Sequence, residues 1–257
     1  MALGMLIFVV FSALFSFSYA ANIRIVNGTD AREGEFPYAS TSLFQASLRH
    51  TARHVCGATI LDERHALTAA HCVCEERWPL DPTFYSIQYG SIHISETFQR
   101  SVQVAKIYCN NFNVVRLTYD AAVLVLAQPL SRDYPWQPVT LYRDFDTRVG
   151  HRGVIIGWGR IWHNGPIPSV LQKLEVEIYP DSICGRLFEI TQHVCFGAPI
   201  GGACNGDSGT SLMVEGKQVA IASFITTTCG TANTTHPNVY SKITASLDFI
   251  DNILNSS

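Results

Sequence analysis

The sequence predicts a mostly β, secreted, disulfide-bonded fold. Three observations predict it: an apolar leader, eight cysteines, and short extended segments separated by turns. The leader spans residues 3–17 and is almost wholly apolar. Ser18-Tyr19-Ala20 follows as a small-x-small pattern that signal peptidase accepts. The run is shorter than the about 20 residues a membrane-spanning helix needs. We therefore read residues 1–20 as a signal peptide, although its first residues carry no Lys or Arg. Cys56, Cys72, Cys74, Cys109, Cys184, Cys195, Cys204 and Cys229 imply four disulfides formed in an oxidising compartment; their number alone leaves many pairings open. Sequons at Asn27, Asn233 and Asn255 fit an exported glycoprotein.

The extended segments can be placed in order. Residues 54–61 form an extended run, then Asp62-Glu63-Arg64 turns the chain into another apolar run. Leu174, Val176 and Ile178 alternate with Lys173, Glu175 and Glu177, the period of a half-buried strand. Residues 212–214 and 219–222 flank Glu215-Gly216-Lys217 as a hairpin. Only the tail has helical spacing, through Ile243, Leu247, Ile250 and Leu254. The 257 residues are 47% apolar and 15% charged, enough for a substantial core. A formal net charge of −3 offers no basic stripe, so neither nucleic acid nor a membrane is expected as a partner. Many short strands suit a barrel or a sandwich.

Four short segments carry candidate chemistry. Gly206-Asp207-Ser208-Gly209 sets a serine between glycines, where backbone N–H groups can approach a carbonyl oxygen. Thr68-Ala69-Ala70-His71-Cys72 places a histidine beside a cysteine, and Tyr119-Asp120 opens an apolar run. Arg24-Ile25-Val26-Asn27-Gly28 joins a basic cleavage point to an apolar new terminus. Taken singly, these are a glycine-rich turn, a structural histidine, a strand cap and a chance basic residue. Together they supply what peptide hydrolysis by a serine needs: a hydroxyl, a base, and donors for an oxyanion.

The order of these segments resembles the trypsin/chymotrypsin family of serine endopeptidases, from Ile25 to about Leu254. Gly157-Trp158-Gly159 and Pro237-Asn238-Val239-Tyr240 add to the likeness. The resemblance implies an all-β fold of two perpendicular six-stranded antiparallel β-barrels with a C-terminal helix, residues 25–257 forming the peptidase domain. It implies Ser208 as nucleophile, His71 as general base and Asp120 as its orienting acid, with Gly206 and Ser208 N–H groups as the oxyanion hole. It further implies a zymogen with propeptide 21–24, cut after Arg24 by an activating trypsin-like protease so that the Ile25 amine pairs with Asp207. Cys56–Cys72, Cys184–Cys195 and Cys204–Cys229 follow as disulfides by the same likeness, leaving Cys74 with Cys109.

The specificity pocket departs from the family's trypsin-like members. Gly202 stands where they carry an acid at the pocket base, so a buried Lys or Arg would find no counter-charge there. Ile225 crowds one wall, Asn238 adds a polar group to the other, and Ser223 opens the strand that pairs with substrate backbone. This resembles an elastase-like pocket for small or medium uncharged residues, with a chymotrypsin-like preference as near rival. Thr210-Ser211 replaces the usual Gly-Pro, which puts the local packing in question. The alternative function is a catalytically silent binding protein on the same fold. A zinc site from His71, Cys72 and Cys74 is disfavoured by its C-x-C spacing and secreted setting. Residues 89–104 offer only Glu96 for calcium, so no metal or cofactor is expected. Expected partners are protein or peptide substrates, the activator and macromolecular inhibitors of an extracellular monomer.

Overall fold

The computed structural model describes residues 25–32, 44–94, 100–144, 150–186 and 188–256. The signal peptide, Arg24 and Glu96 lie outside the described residues. Six strands form the first half: β1 (Gln45–His50), β2 (Arg53–Ile60), β3 (His65–Thr68), β4 (Tyr85–Gln88), β5 (Ser101–Cys109) and β6 (Ala122–Leu126). They close into an antiparallel barrel in the order β1-β2-β3-β6-β5-β4. The second half uses β7 (Arg152–Gly157), β8 (Gln172–Ile178), β9 (His193–Gly197), β10 (Ser211–Val214), β11 (Lys217–Ile225) and β12 (Asn238–Lys242). Its cyclic order is β7-β8-β9-β12-β11-β10, the same topology, closed by β8 pairing with β9 and β7 with β10. The two six-stranded barrels expected from the sequence are present.

The side-chain alternation of strands explains the division of the core. On β6, Ala122, Leu124 and Leu126 point into the first barrel while Val123 faces the other way, into a separate apolar cluster. On β3, Ala66 and Leu67 divide likewise. That second cluster is the seam between the barrels, where Leu67, Ala121 and Val123 meet Ile156, Met213 and Ile221. Strands buried on both faces read as continuous apolar runs, as Ala122–Leu126 does. The alternation at 173–178 meets expectation: Val176 and Ile178 are buried and Glu175 and Glu177 exposed.

The tail differs in detail from its sequence reading. Ile243–Ser246 is a 3₁₀ turn, and only Leu247–Leu254 is α-helical. The tighter turn changes the phase of the buried stripe, so Ile243, Ile250 and Ile253 are buried in the seam while Leu254 is only half-buried. Asn110 Nδ2 donates to Ser246 Oγ at 3.0 Å, tying the start of this tail to the chain just beyond β5. The hairpin is one residue tighter than expected: Lys217 pairs with Val214, leaving Glu215-Gly216 as the turn.

The three disulfides implied by the family likeness form, Cys56–Cys72, Cys184–Cys195 and Cys204–Cys229, and so does Cys74–Cys109, the pair left by subtraction.

Candidate active site

His71 sits in a 3₁₀ turn, Ala70–Cys72, that leaves the end of β3. Ala69 and Ala70 are fully buried, so small side chains let this turn lie against the barrel seam, and the Cys56–Cys72 bridge pins it to β2. Asp120 lies just ahead of β6 in a tight turn with Tyr119 at φ 57°, and is buried. One carboxylate oxygen accepts the His71 backbone N–H at 2.9 Å and the other accepts His71 Nδ1–H at 2.8 Å. Since a carboxylate accepts only, Nδ1 carries the proton and the neutral ring keeps its lone pair on Nε2. Ser223 Oγ donates to the same Asp120 oxygen at 2.5 Å.

The electrostatics follow from this clustering. Burial disfavours the imidazolium, but the charge and hydrogen bond of Asp120 outweigh it and hold His71 above its ordinary value of 6.5. Burial alone would push Asp120 up. The His71 charge and the donors from His71 and Ser223 prevail and hold it below the usual carboxylate value.

Ser208 stands in a turn tied to both barrels. Its carbonyl accepts Gly57 N–H of β2 at 2.7 Å, and Gly209 N–H donates to Ala222 O of β11 at 2.8 Å. Gly209 has φ 80°, and a Cβ there would come within 2.3 Å of both Gly57 O and Thr68 Oγ1, so only glycine fits. Ser208 and His71 line one cavity of about 290 Å³ together with Asn205, Ser223, Phe224 and Ile225.

One peptide orientation fixes where the Gly206 N–H points. Asn205 O accepts Arg160 N–H at 2.8 Å, so the trans-planar peptide turns Gly206 N–H to the opposite side. Gly206 O in turn meets His54 Nε2 at 3.0 Å, while His54 Nδ1 meets Ser47 Oγ at 2.8 Å. A carbonyl can only accept, so Nε2 holds the proton and Nδ1 accepts from the Ser47 hydroxyl. Burial foremost, with the positive charge of Arg49, pushes His54 down to about 4 against the lift from the Gly206 bond, so the ring is neutral at physiological pH. Ser47, His54 and Arg160 were not singled out in the sequence. The N–H groups of Gly206 and Ser208 donate to no acceptor among the described residues.

The remaining expected positions distribute as follows. Ile225 lines the cavity, pairing with Asn238 on β12. Ser223 lies at a register shift between Ala222 and Phe224, where the β11–β12 ladder is interrupted. Asn238 is buried rather than on the cavity wall, and its Oδ1 accepts Ala203 N–H at 2.8 Å. A Cβ on Gly202 would lie 2.8 Å from that oxygen, so Asn238 occupies the space an acid at 202 would need. Asp207 is the one carboxylate among the cavity residues, and its oxygens accept Gly159 N–H at 2.7 Å and Cys204 N–H at 2.9 Å. It has no cationic partner among the described residues, and burial pushes it up to about 6 against those two bonds. Ile25 is buried in the second-barrel core, and Val26 O accepts Gly202 N–H at 3.2 Å. Thr210 is fully buried, and its methyl lies 2.1 Å from where a Cβ on Gly57 would fall, so a glycine at 57 makes room for Thr210. Asn233 and Asn255 are exposed and Asn27 half-buried.

Cys56, His71 and Cys72 offer ligand atoms within 4.8 Å of one another, but both sulfurs are spent in their mutual disulfide, as is Cys74 with Cys109. No thiolate remains there to hold a metal.

Comparison with known proteins agrees with this geometry. Residues 25–250 match the family profile described as Trypsin. The chain is 33% identical to Chymotrypsin-2 of Vespa crabro over 231 residues, covering 88% of this chain and 98% of that protein. It is 32% identical to Trypsin-1 of Astacus astacus, with the same coverage. Among solved structures, mouse neuropsin, a serine protease, superposes with a TM-score of 0.74 at 27% identity, covering 88% of this chain and 98% of that one. Human heparin binding protein superposes with a TM-score of 0.73 at 26% identity, covering 90% and 96%.

Proposed function

Because the chain belongs to the trypsin family of serine proteases, we propose that it is a secreted endopeptidase, made as a zymogen and activated by cleavage of the Arg24–Ile25 bond. One observation carries the catalytic reading. His71, oriented by a buried Asp120, shares a cavity with Ser208, beside two backbone N–H groups without an acceptor among the described residues. In this reading Ser208 Oγ attacks the scissile carbonyl as His71 Nε2 takes its proton. The oxyanion is held by the N–H groups of Gly206 and Ser208. His71 then gives the proton to the leaving amine, and the C–N bond breaks to leave an acyl group on Ser208. Water, deprotonated by the same nitrogen, releases the acid product. Asp120 stays ionised throughout and stabilises the imidazolium.

The cavity supports a preference for small or medium uncharged residues before the scissile bond. Ile225 narrows it, and Asp207 turns its oxygens to backbone donors, leaving no carboxylate available for a Lys or Arg side chain. A profile on a peptide library separates this from a chymotrypsin-like preference for aromatics.

Activation supplies a cation for a site that has none among the described residues. The new Ile25 ammonium reaching Asp207 would pair with the buried carboxylate and stabilise the turn that holds Ser208. A silent binding protein would have no need of the His71–Asp120 geometry; fold alone does not decide the matter. The test is Ser208→Ala in chain cleaved after Arg24: kcat should fall by about a millionfold. Near-normal peptidase activity in that variant would refute the assignment.

A further inference from the structure

A second cavity, of about 400 Å³, lies behind the turn that carries the oxyanion donors, and it is basic. Arg49, Arg53, Arg160, His54 and Ile167 are among its lining residues, and no carboxylate lines it among the described residues. It adjoins the first cavity across one peptide group. Asn205 lines the first cavity and its carbonyl is held by Arg160, while Gly206 O is held by His54, and both of those residues line the second. The three guanidinium groups are not equivalent. Arg49 is buried and its donors face Ala52 O and Gln88 Oε1. Arg160 is half-buried and gives one nitrogen to Gly165 O. Arg53 is exposed, and neither Arg53 nor Arg160 meets a carboxylate among the described residues. His54 is a neutral ring, so it adds no charge but does present an apolar edge beside Ile167 and Ile94.

This position has a meaning for a peptide bound at Ser208. In the peptidase reading, the residues before the scissile bond lie along 223–225, which line the first cavity. The chain after the bond must therefore leave past Gly206 on the other side. An extended peptide advances about 3.3 Å per residue, so its second residue beyond the bond stands about 7 Å on, next to the second cavity. We infer that this cavity is a subsite selecting an acidic side chain, Asp or Glu, at the second residue after the scissile bond, through Arg53 and Arg160. The inference rests on the peptidase reading above and adds a substrate feature that the first cavity does not determine.

The experiment uses activated enzyme and a set of internally quenched peptides identical before the bond, with Glu, Gln or Lys at each of the first three positions after it. A p-nitroanilide with the same acyl part, which has no residue after the bond, is the control. At the second position, kcat/KM for Glu should exceed that for Lys by roughly tenfold at low salt and fall toward parity at high salt. Arg53→Gln should shrink that ratio and Arg53→Glu invert it, while hydrolysis of the p-nitroanilide stays unchanged. Equal rates for Glu and Lys at the second position, or selection confined to another position, with the p-nitroanilide still cleaved, would overturn the subsite and leave the peptidase reading standing. Failure to cleave the p-nitroanilide as well would sink both.

Discussion

Asp120 does more than face His71. It gathers three donors, two from His71 and one from Ser223, in a buried site where each is worth more than in water. Because Asp120 holds His71 above its ordinary value, the imidazolium persists to a higher pH than a free histidine would allow. The sign follows: the general base must be neutral, so activity is lost as pH falls through a value above 6.5. Asp120→Asn should lower kcat by about 10⁴-fold, as the same change does in other serine triads. What residual acid limb remains should move downward, since both sources of the lift are gone. A kcat/KM–pH profile checks it; an unmoved limb would mean that Asp120 does not set the His71 proton affinity. His71, Asp120 and Ser208 stood out as candidates because their short segments follow the order of the family, and the structure joins His71 to Asp120 and puts His71 and Ser208 on one cavity. Ser47, His54 and Arg160 did not stand out, because their roles come from hydrogen bonds made across the molecule; His54 and Gly206 are 152 residues apart. Asn238 was expected on the pocket wall; its buried Oδ1 accepts Ala203 N–H and lies against Gly202, a detail of rotamer that one sequence does not give.

Among the elements, the Cys74–Cys109 bridge has the clearest mechanical part. It joins the short ribbon formed by Cys74–Glu75 and Trp78–Pro79, which follows the His71 turn, to the last residue of β5, from which the chain runs on to Asp120. It therefore closes a loop from the base side of the cleft to the acid side, with a sequence separation of 35. Removing both sulfurs as Cys74→Ser/Cys109→Ser should cost about 3–4 kcal/mol by the loop-entropy argument. Denaturant unfolding at fixed pH measures it, and a change under 1 kcal/mol, roughly, would show that the unfolded chain is restrained by other means. KM should suffer more than kcat, because the His71–Asp120 contact is independently held by the Cys56–Cys72 turn. The strand at 172–178 was legible from its periodicity, and that at 53–60 as an extended run ahead of the Asp62-Glu63-Arg64 turn. The phase of the C-terminal helix was not, because a 3₁₀ turn and an α-turn draw on the same apolar residues.

At the scale of the whole molecule, the uncleaved chain buries Asp207 without a described cation, and the carboxyl is pushed from 3.8 to about 6. Its native state therefore binds the proton more tightly than its unfolded state, and stability from this group is present below pH 4 and lost as pH rises through 6. A shift of about two units corresponds to on the order of 3 kcal/mol. Asp207→Asn removes the buried charge but turns an amide NH2 toward one of the two backbone donors, Gly159 N–H or Cys204 N–H, so its effect on stability should be more favourable at pH 8 than near pH 3 by up to that order. Urea titrations at the two pH values test this; equal effects at both would remove the charge from the account. The two barrels were foreseen through family likeness, but their identical strand order was not, since no sequence repeat accompanies it. That duplication has a further consequence. Every sulfur bridge stays within its own half, two in each, and all eight cysteines are thereby used. A nick anywhere between Leu126 and Arg152 would leave two covalently independent lobes, one bearing the imidazole and the other the nucleophile. Non-covalent contacts would then keep the lobes in register: the apolar seam, the pairing of residues 29–30 with 172–173, and cross-boundary hydrogen bonds such as Gly57 N–H to Ser208 O, so denaturant or detergent could separate the machinery without touching a single cystine.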